Sequence, residues 1–278
     1  MPIEKLSSAL DAIIDGDAPI EEHGSGFGGG EGPAEGPLWW SDGGYLLFSD
    51  IHNNRRMRYT PGSGVTVEAE PVNRHNGLTR DQQGRLIAAE HDGRRISRLE
   101  ADGSTTVLAN QFQGRQLNRP NDVVVKTISG VYRLSADLGT LTLLVADFVV
   151  PNGLAFNPDE TVLYVNDSRR GIIRAFDVQD DGTVSLATQR LFADMRGERE
   201  GVPDGMKVDT EGNVYCGGAG GLHIMNAGGE TLGIVVHGQP ATTNLCFGGD
   251  DWKTLYFTSR NTVGSTPIKV AGIPVPAK

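Results

Sequence analysis

The stretch PNGLAFNPDETVLYVNDSRRGIIRAFDV, residues 151–178, contains three apolar runs of strand-like composition separated by turn residues. Its first run opens with Asn152 and continues with small and apolar residues, and Pro158-Asp159 supplies a turn before the second run. The third run follows a glycine and contains Arg174. Short strands joined by tight turns in this way are typical of one blade of a β-propeller.

The opening phrase of this stretch recurs along the chain. Six phrases begin with an oxygen-bearing side chain followed by small or apolar residues, at Glu35, Asn76, Asn121, Asn152, Asp204 and Asn244. Successive phrases lie 41, 45, 31, 52 and 40 residues apart, and a four-stranded blade occupies ~40–45 residues. The repeats predict an all-β fold, a six-bladed β-propeller in a single domain over residues 1–278, with the blades at 31–278.

The third interval, from Asn121, is too short for a whole blade. Residues 122–126 match a first strand and residues 130–134 match a third strand, but the turn and second strand between them are absent. Either this blade is truly reduced, or a segment is missing near residues 127–128. We favour a missing segment, with residues 127 and 128 not covalent neighbours, because a reduced blade would expose the sheet edges of its neighbours.

The N-terminal region, residues 1–30, is expected to hold a short helix and a loop. Ile3, Leu6, Leu10 and Ile13 recur near helical spacing with acidic residues between them. This spacing predicts a short amphipathic helix that packs on the propeller.

The composition disfavours two classes of partner. The net charge of −10 and the pI near 5.1 disfavour nucleic acid and anionic membranes, which need a basic surface. No run approaches the ~20 apolar residues of a membrane span, and the first residues lack the apolar core of a signal peptide. We therefore expect a cytoplasmic protein. A monomer or a homodimer is expected. Cys216 and Cys246 lie inside apolar strand-like runs of different blades, which favours buried free thiols over a disulfide.

The six phrase residues should form a ring, because equivalent positions in the blades of a propeller face one central channel. The ring would gather two carboxylates, Glu35 and Asp204, and four amides. Hard oxygen donors favour calcium or magnesium over zinc. Asn-Gly and Asp-Gly are also common turn residues, but the hairpin turns of these repeats lie elsewhere, at 158–160 and 211–212.

Four motifs together resemble those of the gluconolactonase and regucalcin (senescence marker protein) family of calcium-dependent lactonases. The matching residues are Glu35-Gly-Pro-Leu-Trp, Arg119-Pro-Asn121-Asp, Pro151-Asn152-Gly-Leu-Ala-Phe-Asn-Pro-Asp and Pro203-Asp204-Gly-Met. The similarity covers roughly residues 36–276 and implies a six-bladed propeller with a single metal in its channel. The sequence departs from the family pattern at one point: the strand and the proline-rich lid segment that family members carry after the Asn121 blade are absent.

The resemblance implies a role for each matched residue. Glu35, Asn152 and Asp204 would bind the metal, Asn121 would face it as a ligand or a substrate contact, and Arg119 would help to orient the substrate. The metal would be one divalent ion, with calcium preferred and magnesium, manganese and zinc as alternatives.

The leading functional hypothesis is a metal-dependent hydrolase that opens a sugar lactone. The metal would polarise the ester carbonyl, Asp204 would accept the proton of the attacking water, and Glu35 would mainly anchor charge. A phosphotriester or fluorophosphate hydrolase on the same metal, and a non-catalytic binding propeller with a structural ion, are the alternatives. No Gly-x-Ser-x-Gly elbow supports a serine hydrolase, and His75 and His91 stay outside the predicted site.

Overall fold

Strands dominate the protein. The computed structural model describes residues 3–30, 33–117, 120–121, 131–135 and 140–276. In these residues, helical structure is confined to two short 3-10 segments, Ser8–Ala12 and Phe27–Gly30. No helix in the described part of the chain is long and apolar enough to cross a membrane. The all-β, propeller-like architecture predicted from the repeats is confirmed.

Two complete four-stranded antiparallel sheets form the first half of the propeller, each a meander that begins with its innermost strand. Blade A comprises β3 (Ala34–Trp40), β4 (Tyr45–Asp50), β5 (Arg55–Thr60) and β6 (Gly64–Ala69). Blade B comprises β7 (His75–Arg80), β8 (Leu86–Glu90), β9 (Arg95–Leu99) and β10 (Thr105–Ala109). A small hairpin follows, made of β11 (Gln111–Phe112) and β12 (Arg115–Gln116).

Three further blades form the second half. Blade C comprises β15 (Pro151–Phe156), β16 (Val162–Asp167), β17 (Ile172–Val178) and β18 (Val184–Asp194). Blade D comprises β19 (Met206–Val208), β20 (Val214–Gly218), β21 (Gly221–Met225) and β22 (Thr231–Val235). Blade E contributes β23 (Thr242–Gly248), β24 (Thr254–Ser259) and β25 (Thr262–Pro267).

The N-terminal segment completes the two last blades. Strand β2 (Glu21–Ser25) pairs antiparallel with β25 as the fourth strand of blade E, which joins the two ends of the chain. Strand β1 (Ile3–Lys5) pairs with β22 as a fifth strand of blade D. Both pairings cover a sheet edge that would otherwise be open.

The expectation of six blades is wrong for the described part of the chain, which contains five complete blades. In the place of the third repeat it contains a two-stranded sheet, β13 (Val131–Leu134) and β14 (Leu141–Val145). Val131 and Val145 share a core with blade C, and Leu134 packs against the core of blade B. This pair therefore fills the space between blades B and C. The predicted break at residues 127–128 lies outside the described residues and stays a prediction.

The predicted N-terminal helix is also wrong. Residues 3–5 form β1 because the edge of blade D offers backbone partners, and only Ser8–Ala12 makes a 3-10 turn. The burial pattern nevertheless agrees with a packing element, since Leu10 and Ile13 are buried in the core between blades D and E. Leu6, which helical spacing placed on the same face, is 56 % exposed.

The innermost strands are irregular at the phrase residues. Register shifts interrupt β3 after Glu35, β7 after His75, β15 after Pro151 and β23 after Thr242. Bulges of this kind re-aim side chains and terminate regular pairing. The phrase residues thus leave the regular sheet geometry at the point where the blades meet.

Glycine after the phrase residue allows the blades to approach each other closely. A Cβ on Gly36 would overlap the carbonyl oxygen of Asn76 in blade B, and a Cβ on Gly153 would overlap that of Asp204. Gly36 also has a positive φ of 53°, a conformation that glycine adopts without steric cost. Small residues at these positions are therefore required by packing between neighbouring blades.

We predict that Gly153→Ala lowers the free energy of unfolding by about 1–3 kcal/mol, because the added methyl group has no space between blades C and D. Gly16→Ala is the matched control, since a Cβ at Gly16 meets no atom within 4 Å. Urea denaturation of both variants measures the difference. Equal stabilities for the two variants would contradict the packing argument.

Candidate functional site

A cavity of about 330 Å³ lies at the beginning of the innermost strands. It brings together Glu35, Asn121 and Asp204, three of the five residues predicted for the site, and also Asn76. The remaining walls comprise Thr243 of β23 and the loop residues Pro33, Ile51, His52, Arg74, His91 and Asp92. Phrase residues from several repeats therefore meet around one space, as a ring position requires.

Asn152 does not line this cavity, but it lies close to Asp204. The backbone nitrogen of the next residue, Gly153, donates to Asn166 Oδ1 at 3.1 Å, and Asn166 Nδ2 donates to the Asp204 carbonyl oxygen at 2.5 Å. Asn152 itself is only 8 % exposed. Arg119, the fifth predicted residue, lies outside the described residues.

Hydrogen bonds to its carboxylate hold Glu35 in place. Its Oε2 accepts from the Gly36 backbone nitrogen at 3.0 Å and from Asn244 Nδ2 at 3.1 Å. The amide oxygen of Asn244 accepts from the Leu245 backbone nitrogen at 2.8 Å. Asn244 therefore turns its nitrogen toward Glu35 and positions that carboxylate, whereas the ring pattern assigned it an oxygen donor.

Asn76 connects Asn121 to His91. Its Nδ2 donates to Asn121 Oδ1 at 2.8 Å and lies 3.0 Å from His91 Nε2. Because an amide nitrogen only donates, His91 Nε2 must accept, and neutral His91 carries its proton on Nδ1. Asn121 has its oxygen engaged by Asn76, so its amide nitrogen is the group that it offers to a bound molecule.

His75 is separated from this cavity. It lines a different space of about 170 Å³, together with Arg56, Glu90 and Arg95. Burial, with the nearby charges of Arg56 and Arg95, lowers the pKa of His75 to about 3. The His75 ring is therefore neutral at pH 7 and is a poor proton acceptor. Of the two histidines left outside the predicted site, only His91 lines the cavity.

Two buried amide oxygens fit a cation. Within the described residues, Oδ1 of Asn152 and Oδ1 of Asn76 have no hydrogen-bond partner. Leaving such a group buried and unpaired costs about 1–3 kcal/mol, which a bound cation offsets. Carboxylates of Glu35 and Asp204 supply negative charge nearby. This set of hard oxygen donors fits a divalent ion of the calcium type.

The donor set contains too few charged ligands to stand out as a metal centre. No group of three or more His, Cys, Asp or Glu residues is placed to hold a metal ion in the described ranges. Cys216 and Cys246 are free and buried, as expected. Burial raises the pKa of both thiols to about 12, so neither offers a thiolate ligand at pH 7.

Most loop residues that line the cavity were not predicted from the sequence, and His91 was considered but left outside the predicted site. His52 and His91 follow the second strands of blades A and B, and Arg74 stands two positions before the phrase residue Asn76. In an antiparallel meander, the start of the first strand and the end of the second lie at the same end of the blade. That topological relation could have identified these loops as the rim of the cavity.

The fold and the cavity together define a β-propeller protein with a polar, oxygen-rich site where its innermost strands begin. The profile of the SMP-30/Gluconolactonase/LRE-like region matches residues 33–130 and 126–261. The chain therefore belongs to this family. The two matched segments overlap at residues 126–130, where the sequence predicts a missing segment.

Relatives of known name are similar over most of their length. A gluconolactonase of Zymomonas mobilis is 31% identical over 316 aligned positions, covering 97% of this chain and 87% of the relative. Regucalcin of Xenopus laevis is 30% identical and covers 81% of this chain and 82% of the relative. Among solved structures, a gluconolactonase from Xanthomonas campestris superposes with a TM-score of 0.82 at 27% identity, over 96% of this chain and 95% of that chain.

We predict that Asn244→Ala lowers the free energy of unfolding by about 1.5–3 kcal/mol, because it removes a hydrogen bond to the buried Glu35 carboxylate. The same substitution in a Glu35→Gln background should cost less, since the charge that Asn244 stabilises is gone. A double-mutant cycle by chemical denaturation gives the coupling. Equal losses in both backgrounds would show that Asn244 acts on the fold independently of Glu35.

Proposed function

We propose that this protein is a metal-dependent lactonase that hydrolyses a sugar lactone of the gluconolactone type. The observation that carries the proposal is the shared cavity of Glu35, Asn121 and Asp204. Family membership supports the same reading, because gluconolactonases of Zymomonas mobilis and Xanthomonas campestris resemble this chain over nearly its full length. The substrate is a small molecule, which a cavity of about 330 Å³ accommodates.

Glu35, Asn152 and Asp204 would hold one divalent metal ion, for which calcium is the preferred choice. The two carboxylates provide charge, and the Asn152 amide oxygen lacks a hydrogen-bond partner among the described residues. When bound, such an ion supplies positive charge that polarises a carbonyl and stabilises an oxyanion. Asn244 and the Gly36 backbone nitrogen keep the Glu35 carboxylate in place for this purpose.

Asp204 is the proposed proton acceptor. Its carboxylate takes a proton from the water whose oxygen forms a bond to the lactone carbonyl carbon. The ring carbon–oxygen bond then breaks, and the same proton passes from Asp204 to the departing ring oxygen, which leaves an open-chain hydroxy acid. Hydrogen bonds fix the backbone of this residue: its nitrogen donates to the Gly217 carbonyl at 3.3 Å, and its carbonyl oxygen accepts from Asn166 Nδ2.

Asn121 and Arg119 are proposed to orient the lactone. Asn76 holds the Asn121 oxygen at 2.8 Å, which directs the Asn121 amide nitrogen as a donor to a substrate oxygen. Arg119 stands two residues before Asn121 in the sequence, and its role rests on the family motif alone. A cytoplasmic location and a monomeric or homodimeric state stay predictions from the sequence.

The test of this function is a pH-stat assay of purified protein with glucono-δ-lactone, corrected for spontaneous hydrolysis. We expect turnover that chelator abolishes and that calcium restores, with magnesium, manganese and zinc compared in parallel. A phosphotriester assayed under the same conditions tests the alternative substrate class. Hydrolysis of the phosphotriester without lactone opening, or no metal-dependent turnover of either ester, would contradict the proposal.

We predict that Asp204→Asn lowers lactone turnover by ~10²–10⁴-fold even at saturating calcium, because the amide keeps an oxygen but cannot accept the proton. Asp180→Asn is the matched control, since Asp180 is an exposed turn residue of blade C. Rates are measured across a calcium titration. If excess calcium returns the Asp204→Asn variant to nearly full turnover, Asp204 is only a ligand, and His91 becomes the next base to test.

A further inference from the structure

Two consecutive residues at the rim of the cavity have left-handed backbone conformations. Asn73 has a φ of 54° and Arg74 has a φ of 50°. Residues other than glycine are strained in this region, at a cost of order 1–3 kcal/mol each, and such strain persists only where the surroundings enforce it. An arginine, unlike asparagine, gains no local side-chain hydrogen bond that favours this conformation. Unlike Arg94, which also has a positive φ of 49°, Arg74 combines this conformation with a place in the lining of the cavity.

Hydrogen bonds from three elements enforce the strained loop. Asn54 Oδ1 accepts from the backbone nitrogens of Val72 at 3.1 Å and Arg74 at 2.7 Å. Asn73 Nδ2 donates to the buried Glu90 at 3.0 Å. The carbonyl oxygens of Asn73 and Arg74 accept from the next loop at 3.1 Å each, from the nitrogens of Asp92 and His91. The backbone conformation of Arg74 is therefore fixed by hydrogen bonds with Asn54 and with the loop at 91–92.

The strained loop places Arg74 and Asp92 side by side on the wall of the cavity. Arg74 Nε lies 3.4 Å from Asp92 Oδ2, and the two side chains are 43 % and 47 % exposed. Among the described residues that line this cavity, Arg74 is the only lysine or arginine. The other charged residues of this lining are the carboxylates Glu35, Asp92 and Asp204. The pair is thus half-exposed, whereas Glu35 in the same lining is buried.

A guanidinium beside a carboxylate presents several donors next to an acceptor. A hydroxyl group donates one hydrogen bond and accepts two, so adjacent hydroxyls of a polyol match this pattern. An apolar or purely anionic ligand does not, because it leaves Asp92 or Arg74 without a complementary group. We propose that Arg74 and Asp92 form a specificity subsite that binds the hydroxyl groups of the lactone, an inference that rests on the proposed lactonase function.

The test compares glucono-δ-lactone with δ-valerolactone, which has the same ring size but no hydroxyl groups. Arg74→Ala and Asp92→Asn should lower kcat/KM for the hydroxylated lactone by about 10–100-fold, the effect of losing a hydrogen bond to a charged group. Both variants should change kcat/KM for δ-valerolactone by less than about threefold. Arg94→Ala is the matched control, because Arg94 also has a positive φ, of 49°, but does not line the cavity.

Arg74→Gly separates function from folding. Glycine relieves the left-handed strain at this position, so this variant should have a Tm equal to or above that of the native protein while it loses the preference for the hydroxylated lactone as Arg74→Ala does. An equal loss on both lactones, or no loss on either, would overturn the subsite.

The subsite can also be tested apart from catalysis. If the native protein opens neither lactone, the proposed function fails, and calorimetry with glucitol, which carries the hydroxyls without the ester, still tests the subsite. Binding to the native protein but not to Arg74→Gly would support it. No binding to the native protein, or equal binding to both, would contradict it.

Discussion

The close contact between the innermost strands of neighbouring blades is the constraint on which the site depends. A side chain on Gly36, Gly153 or Gly205 would overlap Asn76, Asp204 or Asn244 of the next blade. In each contact, the glycine that follows a phrase residue in one blade packs against the phrase residue of the next blade. The ring closes between the last and first blades, where Asn244 donates to Glu35 and Thr243 Oγ1 donates to the Ala34 carbonyl at 2.6 Å. The contacts that pack the blades together are consequently also the contacts that position the residues of the site.

Some buried polar groups of this protein are fully hydrogen-bonded, whereas others have no hydrogen-bond partner within the described residues. Asp167 accepts from the backbone nitrogens of Val149 at 2.8 Å and of Arg169 at 3.1 Å, and Asp209 accepts from Asn213 and Tyr215. Such carboxylates are fully used by the fold. At the ring, in contrast, the Asn152 amide oxygen has no hydrogen-bond partner within the described residues. An unpaired buried polar group in a native structure needs an explanation such as a bound ion, and Glu35 and Asp204 supply the negative charge that favours one at this ring.

Repetition made the fold and part of the site predictable. The recurring phrase located the innermost strands, so the sequence assigned Glu35, Asn121 and Asp204 to one channel, and the three residues line one cavity. Periodicity failed at the N-terminus, where an available sheet edge turned residues 3–5 into a strand. It also failed for the third repeat, where the described residues form two strands.

The orientation of the Asn244 amide and the backbone conformation of Asn73 and Arg74 could not be predicted from the sequence. Which way Asn244 faces depends on the Leu245 backbone nitrogen, and the left-handed pair Asn73-Arg74 depends on bonds from Asn54, Glu90 and the loop at 91–92. These are contacts between loops distant in the chain, which no local pattern encodes. Residues of this kind, held against their backbone preference, are typical of functional sites.

The central claim is that the oxygen donors of this ring hold one divalent cation. Isothermal titration calorimetry with calcium, on the native protein and on Asn152→Leu, tests it most directly. We predict one calcium per chain for the native protein and an affinity at least about tenfold weaker for Asn152→Leu, which keeps the size of the side chain but removes its oxygen. No binding to the native protein, or equal affinity in both, would contradict the account.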